Sequence, residues 1–390
     1  MGEIVEKYED PIETPTEGYT RLGIRSHAKG TFHSYVEKGK ELETAKMFRV
    51  AADKFIVNIT FGWEHAVAIT DENDAGKLVS HRFPQYSFNT GMNPKFFRYL
   101  ILDENFKHHL ELSSPGGAGR NRVLKLSDML QYKMNFPSEA EQKKIATYFD
   151  DLDNLITLHQ RKLEQTKTLK KYMLQKMFPQ EGQKVPEIRF EGFTGDWEQR
   201  KLPEFVSFFN GLTYTPDDVE ETGTLVLRSS NVKNGEIVDA DNVYVNDKVV
   251  TSENVHEGDI IVVVRNGSRA LIGKHAQIKA SMPNTVIGAF MSGMRSEHSS
   301  FVNALLDTSA FENEIAKNMG ATINQITGYM FSKMEFMIPS GDEQQKIGEY
   351  FQSLDHLITL HQRRHFCMKY TSKCMINITK IVKETSICQN

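Results

Sequence analysis

"LITLHQR" at residues 155–161 occurs again, unchanged, at residues 357–363. The likeness extends outward, because residues 137–162 and 339–364 align without gaps and 17 of their 26 positions are identical. The two copies lie 202 residues apart, a period far longer than the roughly 20–50 residues of a solenoid repeat. The sequence therefore predicts two related half-proteins within one chain.

The repeated segment has the pattern of a long helix. Ser138 followed by Glu141 is a capping box, and Ser340 with Glu343 repeats it. Beyond each cap runs one apolar seam with four-three spacing, interrupted by polar residues, and beside it a second apolar stripe. Two such helices either pack against each other or lie in separate cores, and periodicity alone leaves both arrangements open. In the first helix the seam comprises Leu152, Ile156, Leu163, Met173 and Met177, the interruptions are His159, Thr166 and Lys170, and the stripe comprises Leu155, Leu158, Leu169 and Tyr172.

The segments outside these helices repeat only in outline. Residues 18–30 align with 223–235, keeping strand-like runs and glycines while most side chains differ. Short β-branched runs alternate with polar loops and with helical patterns such as 93–112 and 299–318. We therefore expect an α+β protein with two mixed α/β domains, separated by two long antiparallel coiled-coil-like helices and related by a pseudo-two-fold repeat. The predicted regions are a first domain at 1–136, a helical region with its junction at 137–184, a second domain at 185–338 and a second helical region at 339–390.

Composition narrows the class of protein. There is no apolar run long enough for a transmembrane helix, and "MGEIVEKYED" lacks the basic and apolar regions of a secretory signal. All three cysteines (Cys367, Cys374, Cys388) lie near the end, so we expect no disulfide framework and a cytoplasmic location. The net charge of −4 argues against a uniformly basic DNA binder but allows local basic patches.

A search for catalytic signatures finds none. The sequence lacks a phosphate-binding loop, a nucleophile elbow, a zinc-protease motif and the amino-methyltransferase motif, of which residues 93–96 are only an echo. His361 and His365, close to Cys367 and Cys374, come nearest to a metal-ligand set. However, His361 repeats His159, which has no cysteine near it. The sequence thus predicts neither catalytic residues nor a metal site, and it favours a binding function.

Glycine-containing loops with basic or amide side chains occur at 21–30, 114–125 and 262–274. Glycine lets a backbone approach phosphate, and Arg and Asn suit base edges. Any one of these loops alone resembles an ordinary solvated turn, but their matching positions in both halves favour a function. The predicted DNA contacts are Arg21, Arg25, Lys29, Arg120, Arg122, Lys125, Arg228, Asn231, Arg265, Asn266, Arg269 and Asn324.

Residues 136–179, their second copy, and "VPEIRFEGFTGDWEQRKL" at 185–202 resemble the conserved regions of the DNA-specificity subunit of type I restriction–modification enzymes. The resemblance implies two target recognition domains, each reading one half of a bipartite double-stranded DNA site. It implies that two modification (methyltransferase) subunits dock on the helices and that restriction subunits join them. S-adenosylmethionine is then expected on the modification subunit, ATP and magnesium on the restriction subunit, and no cofactor on this chain.

Under this interpretation the heptapeptide is duplicated because the same partner is bound twice. The resemblance places partner contacts on the two helices, at Leu155, Leu158, His159, Leu357, Leu360 and His361.

Two segments depart from the family pattern. Residues 2–8 line up with 202–208, so no lead-in like 185–201 is expected before the first domain, and residues 365–390 differ from the continuation of the first helix. Such departures would suit an inactive or silent specificity allele. A helical adaptor without DNA recognition is a further alternative, which the acidic net charge favours.

Overall fold

The computed structural model describes residues 1–116, 122–319 and 324–387, with side chains described as far as residue 371. The chain forms two compact units. Unit 1 contains Met1–Leu158 together with the described residues from His365 onward, and unit 2 contains His159–Arg364.

In its described residues, unit 1 is built around two sheets. The first is antiparallel with the strand order β1-β9-β6-β7, and the second is mixed, with the order β2-β5-β8-β3-β4 and a parallel pairing of β3 with β8. The strands are β1 (Val5–Tyr8), β2 (Pro11–Glu13), β3 (Tyr19–Ile24), β4 (Thr31–Val36), β5 (Lys46–Arg49), β6 (Lys54–Val57), β7 (Val67–Ile69), β8 (Leu78–Val79) and β9 (Gln85–Phe88).

Strand β6 shows why the core of unit 1 has two parts. Its residues Phe55, Ile56 and Val57 are all fully buried. Because successive side chains of a strand point to opposite faces, Phe55 and Val57 pack with Phe97 in one cluster, whereas Ile56 packs with Leu22 in another. Because both faces of β6 are buried, its consecutive residues must all be apolar, as Phe55, Ile56 and Val57 are.

The described residues of unit 2 form four sheets. Their orders are β11-β20-β17-β18, β12-β16-β13-β19, β10-β21 and β14-β15. The strands are β10 (Glu198–Lys201), β11 (Ser207–Asn210), β12 (Val219–Glu220), β13 (Thr224–Leu227), β14 (Val232–Lys233), β15 (Glu236–Ile237), β16 (Val243–Val245), β17 (Ile260–Val263), β18 (His275–Gln277), β19 (Thr285–Ile287), β20 (Met291–Arg295) and β21 (Glu335–Ile338).

One sheet is common to the two units and another differs. The antiparallel order β1-β9-β6-β7 recurs as β11-β20-β17-β18. In the second sheet a parallel pair also recurs, as β3 with β8 and β13 with β19. However, β5 pairs with β8 in unit 1, whereas β16 pairs with β13 in unit 2. The outline repeat in the sequence thus reflects a shared sheet beside a divergent one.

The helices confirm the predicted segments 93–112 and 299–318. Asn93 caps the first of them, since its side chain accepts from the backbone N–H groups of Lys95 and Phe96 and a proline follows it. The helices are α1 (Pro94–Leu100), α2 (Glu104–Leu112), α3 (Leu126–Leu130), α4 (Glu139–Lys176), α5 (Ser299–Leu306), α6 (Ser309–Asn318), α7 (Gly328–Phe331) and α8 (Gly341–Ile387).

The two predicted stripes of α4 have different environments. Within the seam, Leu152, Leu163 and Met177 are buried, as is the polar interruption His159. The second stripe is exposed, with 42–48% of each residue accessible at Leu155, Leu158, Leu169 and Tyr172. The seam is therefore the packed face of the helix, and the stripe is a free apolar face.

Inside unit 2, α4 and α8 pack against each other in antiparallel directions. Lys170 Nζ lies 2.6 Å from Asp355 Oδ1, and His159 Nδ1 lies 3.1 Å from His361 Nδ1. These contacts exclude the alternative of two helices in separate cores. The α+β fold class with long antiparallel helices is thereby confirmed. None of the helices in the described ranges is long and apolar enough to cross a membrane.

Candidate nucleic-acid interface

In unit 1, three segments meet just beyond the end of β6. The backbone N–H of Ile59 donates to the carbonyl of Arg82 at 3.0 Å, and that of Leu124 donates to the carbonyl of Ile59 at 2.9 Å. We call the three segments, residues 58–63, 80–83 and 122–125, the unit 1 loop cluster.

Unit 2 repeats this arrangement beyond the end of β17. The N–H of Val264 donates to the carbonyl of Phe290 at 3.0 Å, and that of Ile326 donates to the carbonyl of Val264 at 2.8 Å. We call residues 263–271, 288–291 and 324–326 the unit 2 loop cluster. By these hydrogen bonds, Phe290 occupies the position of Arg82.

The unit 1 loop cluster presents arginines beside aromatic rings. The guanidinium of Arg122 lies 5.6 Å from the ring centroid of Trp63. On the adjacent β3–β4 hairpin, Arg25 lies 5.3 Å from the ring centroid of Phe32. A ring beneath a guanidinium holds it in place while leaving N–H groups available. In Arg25, Nη1 also donates to the carbonyl of Thr31, and the remaining donors can contact a ligand. Such groups suit phosphates and guanine edges.

A cleft of about 650 Å³ opens between the hairpin and this loop cluster. Its lining includes Arg21, Asn58, Phe61 and Arg82, with Glu43 as one of its acidic residues. Arg82 and its neighbour in the chain, His81, are exposed. The cleft therefore combines cationic, amide and aromatic groups, which is the chemistry that recognises nucleic acid.

The unit 2 loop cluster has the same kinds of groups in a different order. Arg265 lies 5.1 Å from the ring centroid of the exposed Phe290, and Arg269 is exposed in the turn after it. The amide of Asn324 donates to the carbonyl of Gly267 at 3.1 Å, and that of Asn266 donates to the hydroxyl of Ser229 at 3.1 Å. Among the described residues, neither arginine has a side-chain hydrogen bond or an ion pair, so both can contact a ligand, while the two amides shape the loop.

Of the remaining predicted DNA-contacting side chains, some are exposed to solvent and others already form hydrogen bonds within the protein. Lys29 and Lys125 are exposed, while Arg120 lies outside the described residues. Asn231 is fully buried, and its amide donates to Ala240 O at 2.8 Å and to Asn242 Oδ1 at 2.9 Å. It holds the following loop and does not face a ligand.

Arg228 is similarly engaged, because its Nη2 lies 2.6 Å from Asp241 Oδ2. The same Nη2 also donates to the carbonyl of Asp241, so DNA would have to compete with both contacts for this nitrogen. We therefore leave Arg228 and Asn231 out of the proposed interface.

Sequence reasoning missed several members of the clusters, namely Trp63, His81, Arg82, Phe290 and Gln325. The search favoured glycine-rich basic loops, whereas "SHRFP" at 80–84 has a basic–aromatic pattern without glycine. That interleaving is the signal that could have indicated Arg82. Nothing comparable indicates Phe290.

The predicted partner-binding residues fall into two groups. Leu155, Leu158 and Leu357 are exposed, by 42%, 44% and 41%. His159 is buried instead and contacts His361. Desolvation, followed by the charges of Lys162 and Arg364, lowers the pKa of His361. The histidine pair therefore belongs to the contact between the helices. Leu360 is half-buried, and the three exposed leucines are the accessible members of the predicted set.

No group of three or more histidine, cysteine, aspartate or glutamate side chains with metal-binding geometry occurs among the described residues. His365, which the sequence placed in the nearest candidate set, has its Nδ1 3.3 Å from the carbonyl of Ile156.

Comparison with known proteins identifies the family. The family model described as "Type I restriction modification DNA specificity domain" matches residues 28–168 and 194–365. The MjaVIII type I restriction enzyme specificity subunit of Methanocaldococcus jannaschii is 24% identical over 293 residues, covering 72% of this chain and 68% of that protein. The StySPI specificity subunit of Salmonella potsdam is 25% identical over 167 residues, covering 40% of this chain and 36% of that protein.

A solved structure supports the fold. The type I restriction–modification system S subunit from M. genitalium aligns with a TM-score of 0.58 and 13% identity, covering 94% of this chain and 95% of that one. The family model matches well over half of the residues. The chain therefore belongs to the family of type I restriction–modification DNA specificity domains.

Proposed function

We propose that this chain is a non-catalytic subunit that gives a type I restriction–modification complex its DNA sequence specificity. The two recognition domains, residues 1–136 and 185–338, would each read one half of a bipartite double-stranded site. The observation that carries this proposal is that the two loop clusters share the same backbone hydrogen bonds but present different side chains.

A shared backbone arrangement supports a shared mode of approach to DNA. Phosphate contacts position a protein on the duplex, whereas contacts to base edges specify the sequence. Arg82 in unit 1 is replaced by Phe290 in unit 2, and Arg122 is replaced by Asn324. Two half-sites of different base sequence are therefore the expected outcome.

We assign the DNA contacts to the exposed or ring-supported arginines. In unit 1 these are Arg25, Arg82 and Arg122, and in unit 2 they are Arg265 and Arg269. The commonest base-specific contact is a pair of hydrogen bonds from arginine to the O6 and N7 atoms of guanine. Trp63 and Phe290 then restrict the conformations of the arginines next to them.

The exposed stripe on α4 and the exposed Leu357 on α8 would each supply contacts to modification subunits. Apolar side chains exposed along one helix face mark an interaction site more often than isolated ones do. Restriction subunits would join this core, with S-adenosylmethionine and ATP bound by the partner subunits. We propose a cytoplasmic location for the chain, since the complex would act on genomic DNA.

A salt titration of DNA binding tests the proposal. The chain is first co-expressed with modification subunits, and methylated adenines are mapped to define the site. Binding of a duplex carrying that site is then measured by fluorescence anisotropy for the parent and for the double variant Arg82→Ala, Arg122→Ala. Each lost phosphate contact should lower the salt slope by about one, and each lost base contact should cost about 1–3 kcal/mol.

Lys7→Ala is the matched control, because Lys7 is exposed on β1 and pairs with Glu9. It removes one positive charge from the same unit and should leave affinity and salt slope unchanged. Unaltered affinity and salt slope in the double variant would exclude the unit 1 loop cluster as the DNA-binding surface.

A further inference from the structure

The first turns of α4 and α8 are built alike. Gln142 Nε2 donates to the carbonyl of Pro137 at 2.9 Å, and Gln344 Nε2 donates to the carbonyl of Pro339 at the same distance. Each helix then carries an aromatic pair in edge-to-face contact. Tyr148 and Phe149 have centroids 5.8 Å apart at 79°, and Tyr350 and Phe351 have centroids 5.3 Å apart at 80°.

In unit 2 this helix start is covered by the segment 185–197. Arg189 Nε and Nη2 each lie 2.7 Å from one oxygen of Glu343, which is a bidentate pair. Glu343 is only 1% exposed. The capping box predicted that this carboxylate would turn back to its own helix, but both of its oxygens accept from Arg189 instead.

Two aromatic contacts complete the cover. The ring of Phe190 meets that of Tyr350 edge-to-face with centroids 6.1 Å apart. Lys346 Nζ lies 5.1 Å from the ring centroid of Phe193. The covering segment therefore has the pattern Arg-Phe-x-x-Phe, and each of its three anchors has its own partner on α8.

Unit 1 has the same three partner groups on α4. Glu141, Lys144 and Tyr148 occupy the positions of Glu343, Lys346 and Tyr350 in the repeat. All three are exposed, Tyr148 by 47%. Within the described part of the chain, neither the carboxylate of Glu141 nor the ammonium of Lys144 has a hydrogen bond or an ion pair. We call these three residues the α4 surface.

We propose that the α4 surface docks an extended polypeptide segment with the pattern Arg-Phe-x-x-Phe. The arginine would form the bidentate pair with Glu141, the first phenylalanine would pack on the edge of Tyr148, and the second would lie against Lys144. The internal repeat argues for this occupant, because unit 2 shows the same three groups satisfied by that chemistry. The inference is independent of DNA recognition.

A peptide-binding titration tests it. A fluorescein-labelled peptide, VPEIRFEGFTGDW, is titrated with the full chain while its anisotropy is followed. Saturable binding is expected. Glu141→Ala or Tyr148→Ala in the protein, or alanine at the peptide arginine, should each weaken binding by roughly tenfold or more, because charge-assisted and ring contacts are removed.

Lys143→Ala is the control, because Lys143 is exposed next to the α4 surface but lies on a different side of the helix. It should leave peptide binding unchanged. Glu141 and Tyr148 are both exposed, so their alanine variants should unfold at the same denaturant concentration as the parent. An unchanged midpoint would show that weaker peptide binding is not caused by unfolding.

Two results would overturn the proposal. The first is the absence of saturable binding. The second is binding that is equal for the parent, Glu141→Ala and Tyr148→Ala, since the peptide would then occupy another site, such as the one already used by residues 185–197.

Discussion

At the residue scale, His275 shows how burial and charge are balanced inside unit 2. The side chain is 8% exposed, its Nδ1 lies 3.1 Å from the carbonyl of Gly273, and its Nε2 lies 3.4 Å from Asp307 Oδ1. Desolvation lowers the pKa of His275, but the contacts with Asp307 and Gly273 outweigh it and raise the pKa overall. Because Lys170 also contacts Asp307, the site joins α4 to the loop between α5 and α6.

This balance predicts a pH-dependent stability. A histidine whose pKa is raised on folding contributes stability that is fully present below the ordinary value of 6.5 and is lost as pH rises through the raised value. Denaturant midpoints of the full chain, measured from about pH 6 to 9, should therefore fall on the alkaline side. His275→Gln should flatten that decline.

His356→Gln provides the comparison, since His356 is exposed and should keep the parental profile. If the denaturant midpoint of His275→Gln fell with rising pH as steeply as that of the parent, other groups would be responsible for the pH dependence.

At the element scale, α4 uses one face for folding and leaves the other free. Its buried seam includes the polar residues His159 and Lys170, and each has a partner on α8. Introducing charge on the free stripe therefore tests its role without disturbing the packing. The double variant Leu155→Lys, Leu158→Lys should fail to co-purify with modification subunits, because each lysine would place a charge in an apolar interface.

The same variant should change the free energy of unfolding by no more than about 0.5 kcal/mol, as is usual for exposed positions. Leu112→Lys, at a leucine that is 70% exposed at the end of α2, should assemble normally. Normal assembly of the stripe variant would place the partner surface elsewhere.

At the scale of the whole molecule, the repeat predicts that the two readers are modular. Replacing residues 190–338 with the matching segment of a relative should change one half of the methylated motif and leave the other half intact. The physical reason is that each loop cluster is closed by hydrogen bonds within its own unit. Sequencing methylated adenines in cells that carry the chimera provides the measurement.

The reciprocal exchange of residues 1–136 should alter only the other half of the motif. A chimera that methylates a site changed in both halves would contradict the two-reader model.

The sequence by itself determined the family, the half-protein repeat and the two apolar stripes of α4. Both stripes could be recognised despite their polar interruptions, because helical periodicity is local. Which stripe is buried depends on the packing of α4 against α8 and became known only from the tertiary structure. The runs around Phe55 and Ile261 likewise indicated strands, since short β-branched stretches need no distant partner to be recognised.

Only the tertiary structure decided which side chains are accessible for binding. Asn231 looked like a reader of bases but bonds to Ala240 and Asn242, while Arg82 was overlooked and is exposed beside Ile59. His159 looked like a partner contact but meets His361, 202 residues away. The physical reason is that exposure depends on contacts between segments far apart in the chain, and residue type and local spacing do not report those contacts.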